Sequence, residues 1–337
     1  MAQEEMPRDK VAPSSGLAGG AVGERLTAAR TAATIGPQRP LTQSALLTLR
    51  GDYVAAGVGM RNLGSGQIVI DLPPGSTIVR AWLYWSIIRQ TVAGPAPATA
   101  KLNGQDITGT LIATTGSPGW PDIAQAEAGT TLADVFRADV TGMAVPGANS
   151  LSNFPSGLTD GTAPQDAPSA FPLLNGASLV VVFSNPAFPL KTVVVNDGGQ
   201  TLFGTSASTL LTGFVATGPV AARTTYVVSD GQARFLSDTA SFNGTPVAGP
   251  GAALKPNDAF DGADGAAFFP LDGLWDTPTV DVSHLVSPGD TSAVAAITAG
   301  AGGGSDVLTY VAQVLSVTTA EFVGVRGYHI PHTVPLT

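Results

Sequence analysis

The feature that most constrains this chain is that its markers come twice. Lys101-Leu102-Asn103-Gly104 returns as Ser241-Phe242-Asn243-Gly244, Ala138-Asp139-Val140-Thr141 as Val280-Asp281-Val282-Ser283, and Pro146-Gly147 as Pro288-Gly289. Order and spacing are nearly conserved, which predicts two copies of one unit in tandem. A length of 337 residues accommodates two cores of ordinary size. With 41 Gly, 26 Pro and 44% hydrophobic residues the copies read as many short strands joined by tight turns. The expected fold class is all-β: two tandem antiparallel β-sandwich domains, jelly-roll-like, from an internal duplication.

The expected layout is an N-terminal arm or linker over 1–45, a first sandwich over 46–205, a second over 206–320 and an extended C-terminal tail over 321–337. In Ala81-Trp82-Leu83-Tyr84-Trp85 the alternation puts Leu83 and Trp85 on one face and Trp82 and Tyr84 on the other. Such a strand is covered on both sides, either at the centre of a domain or where an outer face meets a neighbouring one. Asn-Gly at 103, 175 and 243 fits hairpin turns that need positive φ at both central residues.

Sixteen basic against twenty-five acidic residues give a formal charge of −9, which disfavours a nucleic-acid partner. The absence of cysteine removes disulfides, thiolate metal sites and cysteine nucleophiles. No apolar run reaches the length of a membrane span. Residues 1–10 are polar and acidic, without the basic start and apolar stretch of a signal peptide.

The succession Gly51-Asp52-Tyr53-Val54, Gly57-Val58-Gly59-Met60-Arg61-Asn62, Leu72-Pro73-Pro74-Gly75-Ser76, Ala81-Trp82-Leu83-Tyr84-Trp85 and Gly176-Ala177-Ser178-Leu179-Val180-Val181-Val182-Phe183 resembles the DUF3344-type domain. Gly273-Leu274-Trp275-Asp276 and Tyr310-Val311-Ala312-Gln313-Val314 fit its second half. The resemblance implies a β-sandwich in an extracellular or cell-surface setting, and no activity.

Catalytic chemistry is hard to place. The three histidines have no GxSxG elbow to serve, and His284, His329 and His332 read as exposed or capping residues. Lys101 and Lys191, which an intramolecular isopeptide bond would need, read as solvated strand-edge residues. The strongest polar group is Asp258, Asp261, Asp264, Asp272 and Asp276, interleaved with glycines. A flexible loop of oxygen ligands suits Ca2+, and Asp and Gly are equally the ordinary residues of solvated turns. Trp120, between Gly119 and Pro121, is the aromatic best placed for a glycan, since the other tryptophans sit in or beside strands.

These readings converge on a non-enzymatic extracellular structural or adhesive protein that self-associates. Its tail carries Phe322, Val323, Val325, Tyr328 and Ile330, a spare strand that a neighbour's sheet edge could accept. The alternative is a carbohydrate-binding or calcium-dependent adhesion module.

Overall fold

A strand that is apolar on both faces has to be covered twice, and the architecture follows from several such strands. The computed structural model describes residues 37–116, 131–162, 170–233, 235–248, 252–264, 273–301 and 305–320. The first half contributes β1 (Arg39–Gly59), β2 (Gly66–Ile70), β3 (Thr77–Gln90), β4 (Thr99–Leu102), β5 (Gln105–Thr108), β6 (Thr110–Thr115), β7 (Thr131–Asp139), β8 (Gly147–Ser152) and β9 (Leu173–Ser184). The second contributes β10 (Leu190–Leu202), β11 (Thr205–Thr212), β12 (Ala222–Ser229), β13 (Thr239–Phe242), β14 (Thr245–Pro246), β15 (Trp275–Asp276), β16 (Thr279–Asp281), β17 (Ser292–Ala299) and β18 (Leu308–Thr318).

The fold is all-β and antiparallel. One large sheet runs β15-β12-β18-β10-β1-β9-β3-β7-β6, with β16 also on β12. Two four-stranded sheets, β2-β8-β4-β5 and β11-β17-β13-β14, cover it from outside. β1 joins the two halves of the large sheet, pairing with β10 through Arg50 and with β9 from Gly51 onward. At the changeover Gly51 has φ 155, and a Cβ there would lie 2.0 Å from the Phe183 carbonyl oxygen. Only glycine lets the strand pass from one half to the other.

Three cores result. Leu83, Trp85, Phe136, Leu179 and Val181 pack with Ile68, Leu102, Ile107 and Leu151 in the first sandwich. Tyr226, Val228, Leu315 and Val317 pack with Leu211, Phe242, Ala295 and Ile297 in the second. Between them Trp82, Tyr84, Val180 and Val182 meet Val193, Val195, Val227 and Val314, so the halves of the large sheet stand back to back. Leu83 and Trp85 therefore face one core and Trp82 and Tyr84 another, as the alternation predicts. Each large side chain so buried contributes roughly 1.5–3 kcal/mol. Polar bonds cross the central seam too, including Tyr53 OH with Thr225 Oγ1 at 2.8 Å, Tyr84 OH to Asp197 Oδ2 at 3.0 Å and Trp275 Nε1 to Ser178 Oγ at 2.7 Å.

The repeated markers occupy matching corners. Asn103 and Gly104 have φ 49 and 78, Asn243 and Gly244 φ 48 and 76, the positive pair the turn demands. Asn103 N donates to Ser150 O at 2.8 Å while Ser150 N donates to Asn103 Oδ1 at 2.8 Å. Asn243 exchanges the same two bonds with Val294, both at 2.8 Å. The side-chain amides then reach Met143 O at 2.9 Å and Leu285 O at 2.8 Å. Asp139 and Asp281 alike accept the backbone N–H of Thr141 and Ser283, whose hydroxyls in turn accept a backbone N–H from Ala81 and Ala222.

Three expectations need correction. Strand structure starts at Arg39, not 46: Leu41 is buried in the second core, and pairing with β10 extends a segment whose own composition is weakly β-forming. The sandwiches part at 185–189 rather than at 205/206, because β10 and β11 both belong to the second one. Asn175-Gly176 is no turn; it lies inside β9, where Asn175 is buried and Nδ2 donates to Ser229 Oγ at 2.6 Å. Among the described residues no helix is long and apolar enough to cross a membrane.

Candidate functional site

The acidic segment folds against the seam between the sandwiches. Asp238, just before β13, bridges Asp258, and its Oδ1 accepts N–H groups from Ala259 at 2.6 Å and Phe260 at 3.1 Å. That cap drives Phe260 into the second core, beside Tyr226. Asp276 holds the next turn, its two oxygens accepting Gly262 N at 3.0 and 3.1 Å and its Oδ1 Ala263 N at 3.3 Å. Gly262 has φ 67 there, and a Cβ would lie 2.4 Å from Gly231 O. Asp264 then docks on the first sandwich, where Gly59 N donates to its carbonyl at 2.8 Å. Its Oδ2 fills the space beside Gly57, where a Cβ would lie 2.1 Å from it.

This places several carboxylates where water does not reach them. Burial pushes Asp264 up to about 7, against a hydrogen bond from Thr277 and with help from Asp261. Burial likewise raises Asp238 to about 7, with Asp258 and Asp261 adding to it. Asp276 is raised well above the ordinary carboxylate range by burial, then by Asp264 and Asp261. Asp258, half-buried, is raised by burial and by Asp261. Lys255 forms an ion pair with Asp261. Asp264 Oδ2 and Asp238 Oδ2 are buried without hydrogen-bond partners. Such a group can take up protons near neutrality. Among the described residues no three His, Cys, Asp or Glu side chains converge on a point that could hold a metal ion.

The structure thus brings together Asp258, Asp261, Asp264 and Asp276 from the sequence reading. It adds Asp238 and Lys255, which lie outside the glycine-rich run and carried no signal in it. Asp272, Trp120, Phe322, Val323, Val325, Tyr328 and Ile330 lie outside the described residues. Trp82, Trp85 and Trp275 are core residues. Lys191, expected to be solvated, is buried: its Nζ lies 2.7 Å from Asp52 Oδ2, and Arg223 Nη2 lies 3.2 Å from Asp52 Oδ1. The second acid that would catalyse an isopeptide bond is replaced there by a cation.

The other notable region is the surface of the outer sheets. β11, β17, β13 and β14 contain no charged residue, and their outward positions are mainly Ser and Thr with Leu210 and Val294. Protein surfaces ordinarily carry about 25–35% charged residues. A whole sheet face without one is a place where another chain can lie without desolvating charge.

No protein-family model and no curated protein matches this chain. Solved structures give distant likenesses. A beta-porphyranase of glycoside hydrolase family 86 from the human gut bacterium Bacteroides plebeius is 12% identical with a TM-score of 0.22, over 84% of this chain and 37% of its own. A glycoside hydrolase family 86 structure in complex with neoagarooctaose is 9% identical with a TM-score of 0.23, over 80% of this chain and 34% of its own. The major capsid protein P2 from bacteriophage PM2 is 12% identical with a TM-score of 0.22, over 81% of this chain and 99% of its own. This chain therefore spans little more than a third of the hydrolases, and likenesses at this level bear on neither activity nor assembly.

Proposed function

We propose that the protein is a non-enzymatic structural or adhesive subunit of an extracellular or cell-surface assembly, and that copies join when one donates its C-terminal tail as a strand to another. A surface location, membership of the DUF3344-type family and descent of the two sandwiches from one duplicated unit belong to the same proposal. The observation that carries it is the anchoring of the tail. β18, the strand that leads into it, is buried along its length at the centre of the second half-sheet, between β10 and β12. A pull on the tail would be borne by two full ladders of backbone hydrogen bonds and then by the back-to-back seam. The uncharged outer face of the second sandwich supports the same reading. The test is deletion of 321–337: regular fibres or oligomers of the full chain should give way to monomers, and a full chain that is monomeric under all conditions sinks the proposal.

A second reading, a calcium-dependent adhesion module, rests on Asp264 Oδ2, a buried carboxylate oxygen without a hydrogen-bond donor. Calcium at millimolar concentration should then raise the melting temperature, because a ligand of the folded state alone stabilises it. An unchanged melting curve removes this reading.

A further inference from the structure

We propose that the outer face of β11-β17-β13-β14 is a contact surface for a second copy of this chain, the two sheets meeting face to face about a two-fold axis. The inference goes beyond tail donation and does not rest on it.

The first sandwich supplies the comparison. Ser150 and Val294 hold equivalent places, since each exchanges the same two bonds with the Asn of its corner. From these two residues the strand registers align the outer sheets position by position. Gln67 lies opposite Ser150, and Leu210 lies opposite Val294. Lys101 lies opposite Asp106, and Ser241 lies opposite Pro246. In the first sheet this outward set is one that water solvates well: an amide, a hydroxyl and an ion pair of 2.6 Å between Lys101 Nζ and Asp106 Oδ1. The same four places in the second sheet carry no charge, and Leu210, 58% exposed, stands beside Val294, 39% exposed. Val69 on the first sheet is 51% exposed but has no such neighbour, Ala148 being opposite it. One scaffold thus presents a face suited to water and, at matching positions, a face suited to being covered.

Charge restricts what can cover it. The chain carries −9, and two copies repel wherever acidic surfaces come together. Across these strands they can approach without juxtaposing like charges and without desolvating any. A strongly charged partner would find no complement here. The polar groups that surround Leu210 and Val294 are the hydroxyls of Ser206, Ser208, Thr212, Ser292 and Thr298. A hydroxyl both donates and accepts, so such a set can pair with its own image, which a set of carboxylates or of amines cannot do. A two-fold contact requires that self-complementarity.

The face also sets the strength of the contact. Four strands spaced about 4.8 Å apart, the longest of eight residues rising about 3.3 Å each, offer roughly 500 Å2 per copy and about 1,000 Å2 for the pair. That is the small, transient end of specific interfaces, so free chains at micromolar concentration pass through the contact briefly and do not stay joined.

The absence of cysteine leaves a clean background for trapping a brief contact. Leu210→Cys and Val294→Cys are made singly in the full chain and mildly oxidised, alone and mixed, with Val69→Cys on the first sandwich as the control. Covalent dimers should accumulate through the Leu210 and Val294 positions well beyond the level of Val69→Cys. Adding Ser208→Glu to the same variants should return them to that level, because it sets two carboxylates against each other across the axis. Dimers no more abundant than in the control, or dimers that Ser208→Glu leaves unchanged, overturn the inference. Full chains that stay monomeric by light scattering while these dimers form would overturn tail donation and leave this contact standing.

Discussion

The two sandwiches share a strand order and differ in how they end. The outer sheets run β2-β8-β4-β5 and β11-β17-β13-β14, and the Asn corners at 103 and 243 repeat bond for bond. In the first sandwich, however, β7 is a continuous nine-residue partner of β3, with β6 paired outside it, and β9 leads directly into β10. In the second the same place is taken by the short β15 and β16, preceded by the acidic segment, and β18 leads into the tail. What the halves share makes the fold. Where the second departs from the first, it gains buried carboxylates and an open strand end, and both candidate functions lie there.

The largest expected effect comes from breaking the link between the halves. Gly51→Val forces a side chain into the Phe183 carbonyl and should cost more than about 4 kcal/mol, leaving no cooperative melting transition. Native-like melting of this variant would mean the strand does not pass between half-sheets as described. Next, Lys191→Met leaves Asp52 buried with only Arg223 beside it and should cost about 3 kcal/mol by chemical denaturation. The two corners sharpen the comparison itself. Asn103→Ala and Asn243→Ala should each cost about 1–3 kcal/mol, the first more, since buried Asn149 also loses a donor from Asn103 at 3.1 Å. Unequal values in the opposite sense would show that the corners are alike only in shape.

The smallest effect is confined to the second sandwich and depends on pH. Asp264 and Asp238 hold their protons more tightly when folded than when unfolded, so their contribution to stability is fully present below about 4 and is lost as pH rises through about 7. Asp264→Asn, which cannot ionise, should therefore be more stable than the parent at pH 8, by about 1–2 kcal/mol, and equal to it near pH 4. Melting temperatures across that range check it, and a variant less stable at pH 8 in the presence of calcium would favour the ion instead.

Some of this was legible in the residues and some was not. Alternation across 81–85 and the Asn-Gly pairs at 103 and 243 carry their geometry locally, because side-chain direction and positive φ are properties of a few residues. Asn175-Gly176 has the same letters and sits in a strand, held by Ser229 from across the seam and by Arg61 within its own sandwich. Burial of Lys191 with Asp52, and of Asp264 against Gly57, depends on partners far along the chain that no local pattern announces. The start of β1 at Arg39 was hidden for the same reason, since β10 supplies its ladder.

The central claim is that the tail joins subunits. Multi-angle light scattering of the full chain beside a chain ending at Ala320 tests it most directly, over a range of concentrations and with melting curves for both. The account expects the full chain to grow into oligomers or fibres while the shortened chain stays monomeric and folded. A full chain that remains monomeric at every concentration would contradict it.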